Sequence, residues 1–154
     1  MATPILKKVQ IRNVDFGENV TIVEPVNLYG CKIGDDCFIG PFVEIQKQVV
    51  IGSKCRVQSH AFICELVTIG ERCFISHGVM FINDKFSLGR PSAGRQDLWE
   101  STKIGNSVSI GTHATILPVT IADNVVIGAG AVVTKNIDNP GIYAGNPARY
   151  IKGL

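Results

Sequence analysis

From Ile33 to Phe81 an aliphatic or aromatic residue stands at every sixth position: Ile33, Ile39, Ile45, Ile51, Val57, Ile63, Ile69, Ile75 and Phe81. A second register four residues behind it holds only small or β-branched residues, namely Cys37, Val43, Val49, Cys55, Ala61, Val67, Cys73 and Val79. The pattern resumes at Ile104, Ile110, Ile116, Ile121, Ile127 and Val133, with Val108, Ala114, Val125 and Ala131 in the second register. An amphipathic helix needs apolar residues at i, i+3, i+4 and i+7, and a half-buried strand needs strict alternation. Neither fits. A short unit repeated this often predicts a β-solenoid, in which each unit is a short strand plus a turn. One large and one small inward residue per unit fill a narrow tube without voids. The intervening Gly, Asp, Ser and Glu residues, as in Ile33-Gly-Asp-Asp-Cys37 and Ile51-Gly-Ser-Lys-Cys55, suit the corners.

Extending the register backwards reaches Leu28, Ile22 and Phe16. Two units are one residue short, Leu28 to Ile33 and Ile116 to Ile121. Residues 1 to 15 are expected to cover the first open edge, since an uncovered strand ladder invites aggregation. The main interruption, about residues 83–102, carries two glycines, a proline and the sole tryptophan, Trp99. So long a loop in a tight winding predicts function. A tail of about residues 138–154 follows.

Composition changes this picture little. The 154 residues, 45% of them apolar, make one domain with a continuous core. A net charge of +2 without a basic run beyond Lys7-Lys8 argues against nucleic acid. The first residues lack the apolar core of a signal peptide, and no apolar stretch is long enough to span a bilayer. The expectation is a cytoplasmic protein with no membrane partner.

The units Lys32-Ile-Gly-Asp-Asp-Cys37, Thr68-Ile-Gly-Glu-Arg-Cys73 and Ser109-Ile-Gly-Thr-His-Ala114 resemble the hexapeptide repeat of the left-handed β-helix acyltransferases. The resemblance implies an all-β fold, a left-handed parallel β-helix of about six triangular coils with three units per coil. The hand comes from the resemblance alone, because ordinary β crossovers take the opposite one. The resemblance also implies a homotrimer with active sites between subunits, and a loop that reaches the acyl acceptor.

With three units per coil, Cys37, Cys55 and Cys73, spaced by 18 residues, should stack inside the tube as small buried fillers. Val57, Ile75 and Ile110 become equivalent edges of successive coils, so His60, His77 and His113 all lie on one outer face. Three histidines can bind zinc, as in the γ-carbonic anhydrases of similar fold. Those enzymes carry a His-four-residues-His pair that is missing here, so no metal is expected. Acyl transfer fits better: a histidine can take a proton near neutrality. Packing at a subunit interface is the third account.

The stretch Val57-Gln-Ser-His-Ala-Phe-Ile-Cys-Glu65, followed by Met80-Phe-Ile-Asn-Asp84, is similar to the branch that N-acetylates nucleotide-linked amino sugars. Galactoside and maltose acetyltransferases place a catalytic histidine near the position of Asp84, and it is absent here. The resemblance implies His60 and Asn83 as catalytic residues, and Asp84, Ser59, His77, Trp99 and Arg90 as acceptor contacts. Glu65 reads as an ordinary corner residue. The segments Ile127-Gly-Ala-Gly-Ala-Val-Val-Thr-Lys-Asn-Ile137 and Gly145-Asn-Pro-Ala-Arg-Tyr-Ile151 resemble the closing part of these acetyltransferases. There acetyl-CoA would meet Gly111, His113, Ala129, Lys135, Asn146 and Arg149, with Lys135 and Arg149 on its phosphates. The implied reaction is acetyl transfer to the amine of a dTDP- or UDP-linked deoxyamino sugar for bacterial surface polysaccharide. The alternatives are transfer to a sugar hydroxyl and a γ-carbonic-anhydrase-like metalloenzyme.

Overall fold

The computed structural model describes residues 2–154, and it is a left-handed parallel β-helix. Three faces are built from strands of two to four residues, each strand of the winding pairing in parallel with its counterpart one coil away. Face I stacks Ile11–Arg12, Asn27–Tyr29, Glu44–Ile45, Phe62–Ile63, Met80–Phe81, Thr115–Ile116 and Val132–Val133. Face II runs from Asp15–Phe16 to Thr120–Ile121, and face III from Thr21–Ile22 to Gly141–Ala144. The chain winds from face I to II to III and returns to I. Registers such as Ile33↔Ile51 and Ile39↔Val57 bring like residues above one another, as the period demands.

The two apolar registers account for the core. The large residues Ile39, Ile45, Ile63, Ile75, Ile110 and Ile116 are fully buried at mid-face. The small ones point inward at the corners, each directly after a residue in the left-handed region: Asp36, Phe42, Gln48, Lys54, His60, Leu66, Arg72, Ser107 and His113 have φ between 55° and 70°. A positive φ is unfavourable for a side-chain-bearing residue. Burial of the following Cys, Val or Ala offsets it at every turn. Cys37, Cys55 and Cys73 form the expected column: Cys73 donates its backbone N–H to Cys55 Sγ at 3.4 Å, and the thiols donate to the carbonyls of Gly52, Gly70 and Gly105. All five cysteines are free and buried.

Three expectations change. The winding has seven turns rather than six, because Ile11–Arg12 already pairs with face I and Gly141–Ala144 adds a strand to face III. Of the residues expected to cover the lower edge, Met1 lies outside the described residues and 2–10 are exposed; Gln10 O accepts from Leu28 N–H at 3.2 Å, yet Ile11 and Phe16 remain 39% and 41% exposed. The C-terminal segment is not merely a tail. After its strand on face III it reverses, and Arg149–Lys152 closes the sheet antiparallel, with Tyr150 edge-on to Tyr143. The interruption after Phe81 leaves at the corner between faces I and II and contains one 3-10 turn, Gln96–Leu98.

Candidate active site

The excursion between faces I and II folds back on the solenoid and is pinned at its base. Glu100 N–H donates to Asn83 O at 2.9 Å, and Lys85 pairs with Glu100 at 2.8 Å. Within it, Asp84 uses both carboxylate oxygens: Phe86 N–H donates to Oδ1 at 2.9 Å and Ser92 N–H to Oδ2 at 2.7 Å. These amides, that of Ser92 foremost, hold the Asp84 carboxyl below the usual carboxylate range. Trp99 Nε1 donates to Ser92 Oγ at 2.7 Å. The loop is therefore an ordered wall.

That wall and the outer surface of face I enclose a cleft of about 400 Å³, lined among others by Gln46, Phe62, Glu65, Asn83, Asp84 and Trp99. Asn83 Nδ2 donates to the Glu65 carbonyl at 3.3 Å, and Glu65 N–H donates to Gln46 Oε1 at 3.4 Å. The Glu65 side chain is not the ordinary corner residue its position suggested. Glu65 is only 8% exposed; its Oε1 lies 3.7 Å from Lys47 Nζ, and its buried Oε2 has no hydrogen-bond partner among the described residues. Native proteins pair almost all such atoms, and because Glu65 lines the cleft, a turn of its side chain would offer the unpaired oxygen to a donor from outside. Beside it, burial pushes the Cys64 thiol up to about 12, which makes it a filler and not a nucleophile.

The structure joins Asn83, Asp84 and Trp99 in this cleft but leaves the histidines elsewhere. His60, His77 and His113 are exposed along the corner between faces III and I, one coil apart, as the period requires. His60 stacks on Phe42 with ring centroids 4.9 Å apart. His77 is out of step because Gly78 occupies the left-handed corner, and that glycine leaves room for the ring of His113, whose Nδ1 lies 2.7 Å from where a Cβ would stand. Ser59 lies beside His60. None of the three histidines is among the residues lining the cleft, although the strand that follows His60 supplies its Phe62. Arg90 is exposed on the loop and does not line the cleft. No group of three or more His, Cys, Asp or Glu residues among those described could hold a metal ion.

Of the residues expected at the coenzyme, Gly111, His113 and Ala129 lie on face III and its corner with face I. Gly111 is already required by winding, since a Cβ there would sit 2.5 Å from Ala129 N. Lys135 and Arg149 line one hollow of about 300 Å³ at the end of the tube, together with Tyr143 and Tyr150. Asn146 is exposed in the turn before Arg149–Lys152.

Residues 30–65 match the model of the bacterial transferase hexapeptide (six repeats), and residues 101–135 that of the hexapeptide repeat of succinyl-transferase. The bifunctional protein GlmU of Acaryochloris marina is 28% identical over 138 residues, 84% of this chain and 30% of that protein. The chain thus spans about a third of the length of the curated relatives of this kind. A probable macrolide acetyltransferase of Lysinibacillus sphaericus is 34% identical over 113 residues, covering 60% of this chain and 63% of the relative. Among solved structures, a galactoside acetyltransferase in complex with coenzyme A is 30% identical, with a TM-score of 0.64 over 92% of this chain and 65% of that one. A point mutant of AntD, an N-acyltransferase from Bacillus cereus in complex with dTDP and coenzyme A, shares the fold at 23% identity and a TM-score of 0.73, covering 90% of this chain and 83% of that one.

Proposed function

Because the chain belongs to the hexapeptide-repeat acyltransferases of the left-handed β-helix fold, we propose that it transfers an acetyl group from acetyl-CoA to the amine of a nucleotide-linked deoxyamino sugar. The observation that carries this reading is the cleft lined by Asn83, Asp84, Trp99 and Glu65, the last with an unpaired Oε2. A buried carboxylate oxygen in want of a donor suits an ammonium or sugar hydroxyl, and an indole face suits a pyranose ring. That AntD is an N-acyltransferase crystallised with dTDP and coenzyme A supports the same pairing of substrates.

In this reading Glu65 and Asn83 hold the amine, which loses one proton before its lone pair attacks the thioester carbonyl. The N–C bond forms, negative charge gathers on the carbonyl oxygen, and collapse breaks the C–S bond. The second amine proton leaves with the coenzyme sulfur, so amide and free thiol are the products. Gly111, His113 and Ala129 would flank the pantetheine arm. Lys135 and Arg149 share one hollow, which suits the coenzyme phosphates. No step calls for a metal.

His60 is not among the residues lining the cleft, and in this reading it acts as base or orienting group at a site completed by another protomer. This favours a homotrimer with sites between subunits. Phe42, Met80 and Phe86, all exposed, supply apolar surface that a second copy would cover. Among the described residues no helix is long and apolar enough to cross a membrane, and the reading extends to a cytoplasmic role in bacterial surface polysaccharide synthesis.

The test is release of free thiol from acetyl-CoA against a panel of dTDP- and UDP-linked 3-amino and 4-amino sugars. Turnover with an amine acceptor is expected. Activity confined to hydroxyl acceptors would replace this reading with sugar O-acetylation, the alternative that the galactoside acetyltransferase likeness favours.

A further inference from the structure

We propose that Ser92 is a positioning residue that locks Asp84 and Trp99 into one unit, so that Trp99 meets the acceptor through the face of its indole and not through its N–H. This rests on the amino-sugar reading of the cleft. Ser92 is 6% exposed although its neighbours Pro91 and Ala93 are exposed, an unusual depth for a hydroxyl in an excursion of this kind. Its backbone N–H donates to Asp84 Oδ2 and its Oγ accepts from Trp99 Nε1, each at 2.7 Å. Indole has one polar hydrogen. With that hydrogen taken by Ser92, what Trp99 can offer is its π face, to the C–H groups of a sugar ring or to an ammonium. The acid at the loop's root and the wall at its far end are thus set by one residue. Neither the repeat nor the motif around Asn83 specifies it.

Trp99 is the sole tryptophan, so intrinsic fluorescence reports on this wall directly. In the ligand-free protein, Ser92→Ala should shift the emission to longer wavelength and raise acrylamide quenching, and Ser92→Thr should restore both. In turnover, Ser92→Ala should raise KM for the amino sugar by about five-fold or more, the effect of one lost hydrogen bond, while KM for acetyl-CoA stays unchanged. Trp99→Phe, which keeps a ring face but loses the same hydrogen bond, should match Ser92→Ala, whereas Trp99→Leu, which loses the face as well, should exceed both. Unchanged emission and unchanged acceptor KM in Ser92→Ala would overturn the lock. Equal damage from Trp99→Phe and Trp99→Leu would overturn the stacking role. If the wild type acetylates no amino sugar, the functional reading fails, and the emission series still decides whether Ser92 holds the wall.

Discussion

Replacing Glu65 with methionine should make the protein more stable and a poorer enzyme. The wild-type side chain is 8% exposed and leaves Oε2 without a partner, a desolvation penalty of about 1–3 kcal/mol. Against this stands the Lys47 contact at 3.7 Å, which is half exposed on the lysine side and contributes about 0–1 kcal/mol. The backbone bonds of Glu65 to Gln46 and Asn83 do not involve the side chain and survive. Methionine is unbranched and adapts to an irregular gap. The balance is a gain of about 1–2 kcal/mol, and at roughly 2–4 °C per kcal/mol for a chain of this size calorimetry should record a Tm higher by about 2–8 °C. The same change removes a charge-assisted hydrogen bond to the acceptor, so its KM should rise about ten- to hundred-fold. A variant that melts below the wild type would refute the reasoning, for it would mean that the carboxylate is satisfied in the free protein and is part of its framework. Unchanged acceptor KM would remove Glu65 from the site.

Three further outcomes are expected. Gly111→Ala forces a Cβ against Ala129 N and should lower stability by about 1–3 kcal/mol, measured by thermal melting without ligand; an unchanged Tm would show that the coils can part there. The lowered pKa of Asp84 means that its hold on the loop is present above the ordinary carboxylate pKa of about 3.9 and is lost only as pH falls through the still lower folded value. Trp99 emission should accordingly be flat from neutrality to about pH 5 and change only in stronger acid, whereas a transition centred above the ordinary value would contradict that sign. His60→Asn should leave Tm unchanged, as the ring is exposed, and lower kcat by about two to four powers of ten if His60 serves as base across an interface; near-normal kcat would restrict it to orienting the acceptor.

The coil was legible because periodicity is a local property that every unit repeats. Once Ile33, Ile51 and Ile69 are equivalent, the Cys37–Cys55–Cys73 column and the histidine corner follow without knowledge of any long-range contact. Register failed at the ends. Ile11 is five residues from Phe16, and Tyr143, standing over Ile127 on face III, follows a segment rich in Asn, Pro and Gly, so the first and last turns carry no clean repeat. The site was legible only as a place. The break after Phe81, with Asn83, Asp84 and Trp99 in or beside it, pointed to the cleft. Glu65 was missed because what surrounds it, including Asn83 18 residues later, is no property of the repeat; the one usable signal was an acid two residues after a strand.

Residue spacing alone thus assigned each side chain to the inside, a face or a corner, since a repeating backbone allows no other choice. What it could not supply is where a non-repeating segment lands. The return of residues 84–99 over face I walls a cleft beside Glu65, takes both oxygens of Asp84 for the loop's own amides and sets Trp99 in that wall. It also builds the cleft without any of the three histidines in its lining. These are decided by contacts between parts of the chain that share no period, and only the folded molecule brings such parts together.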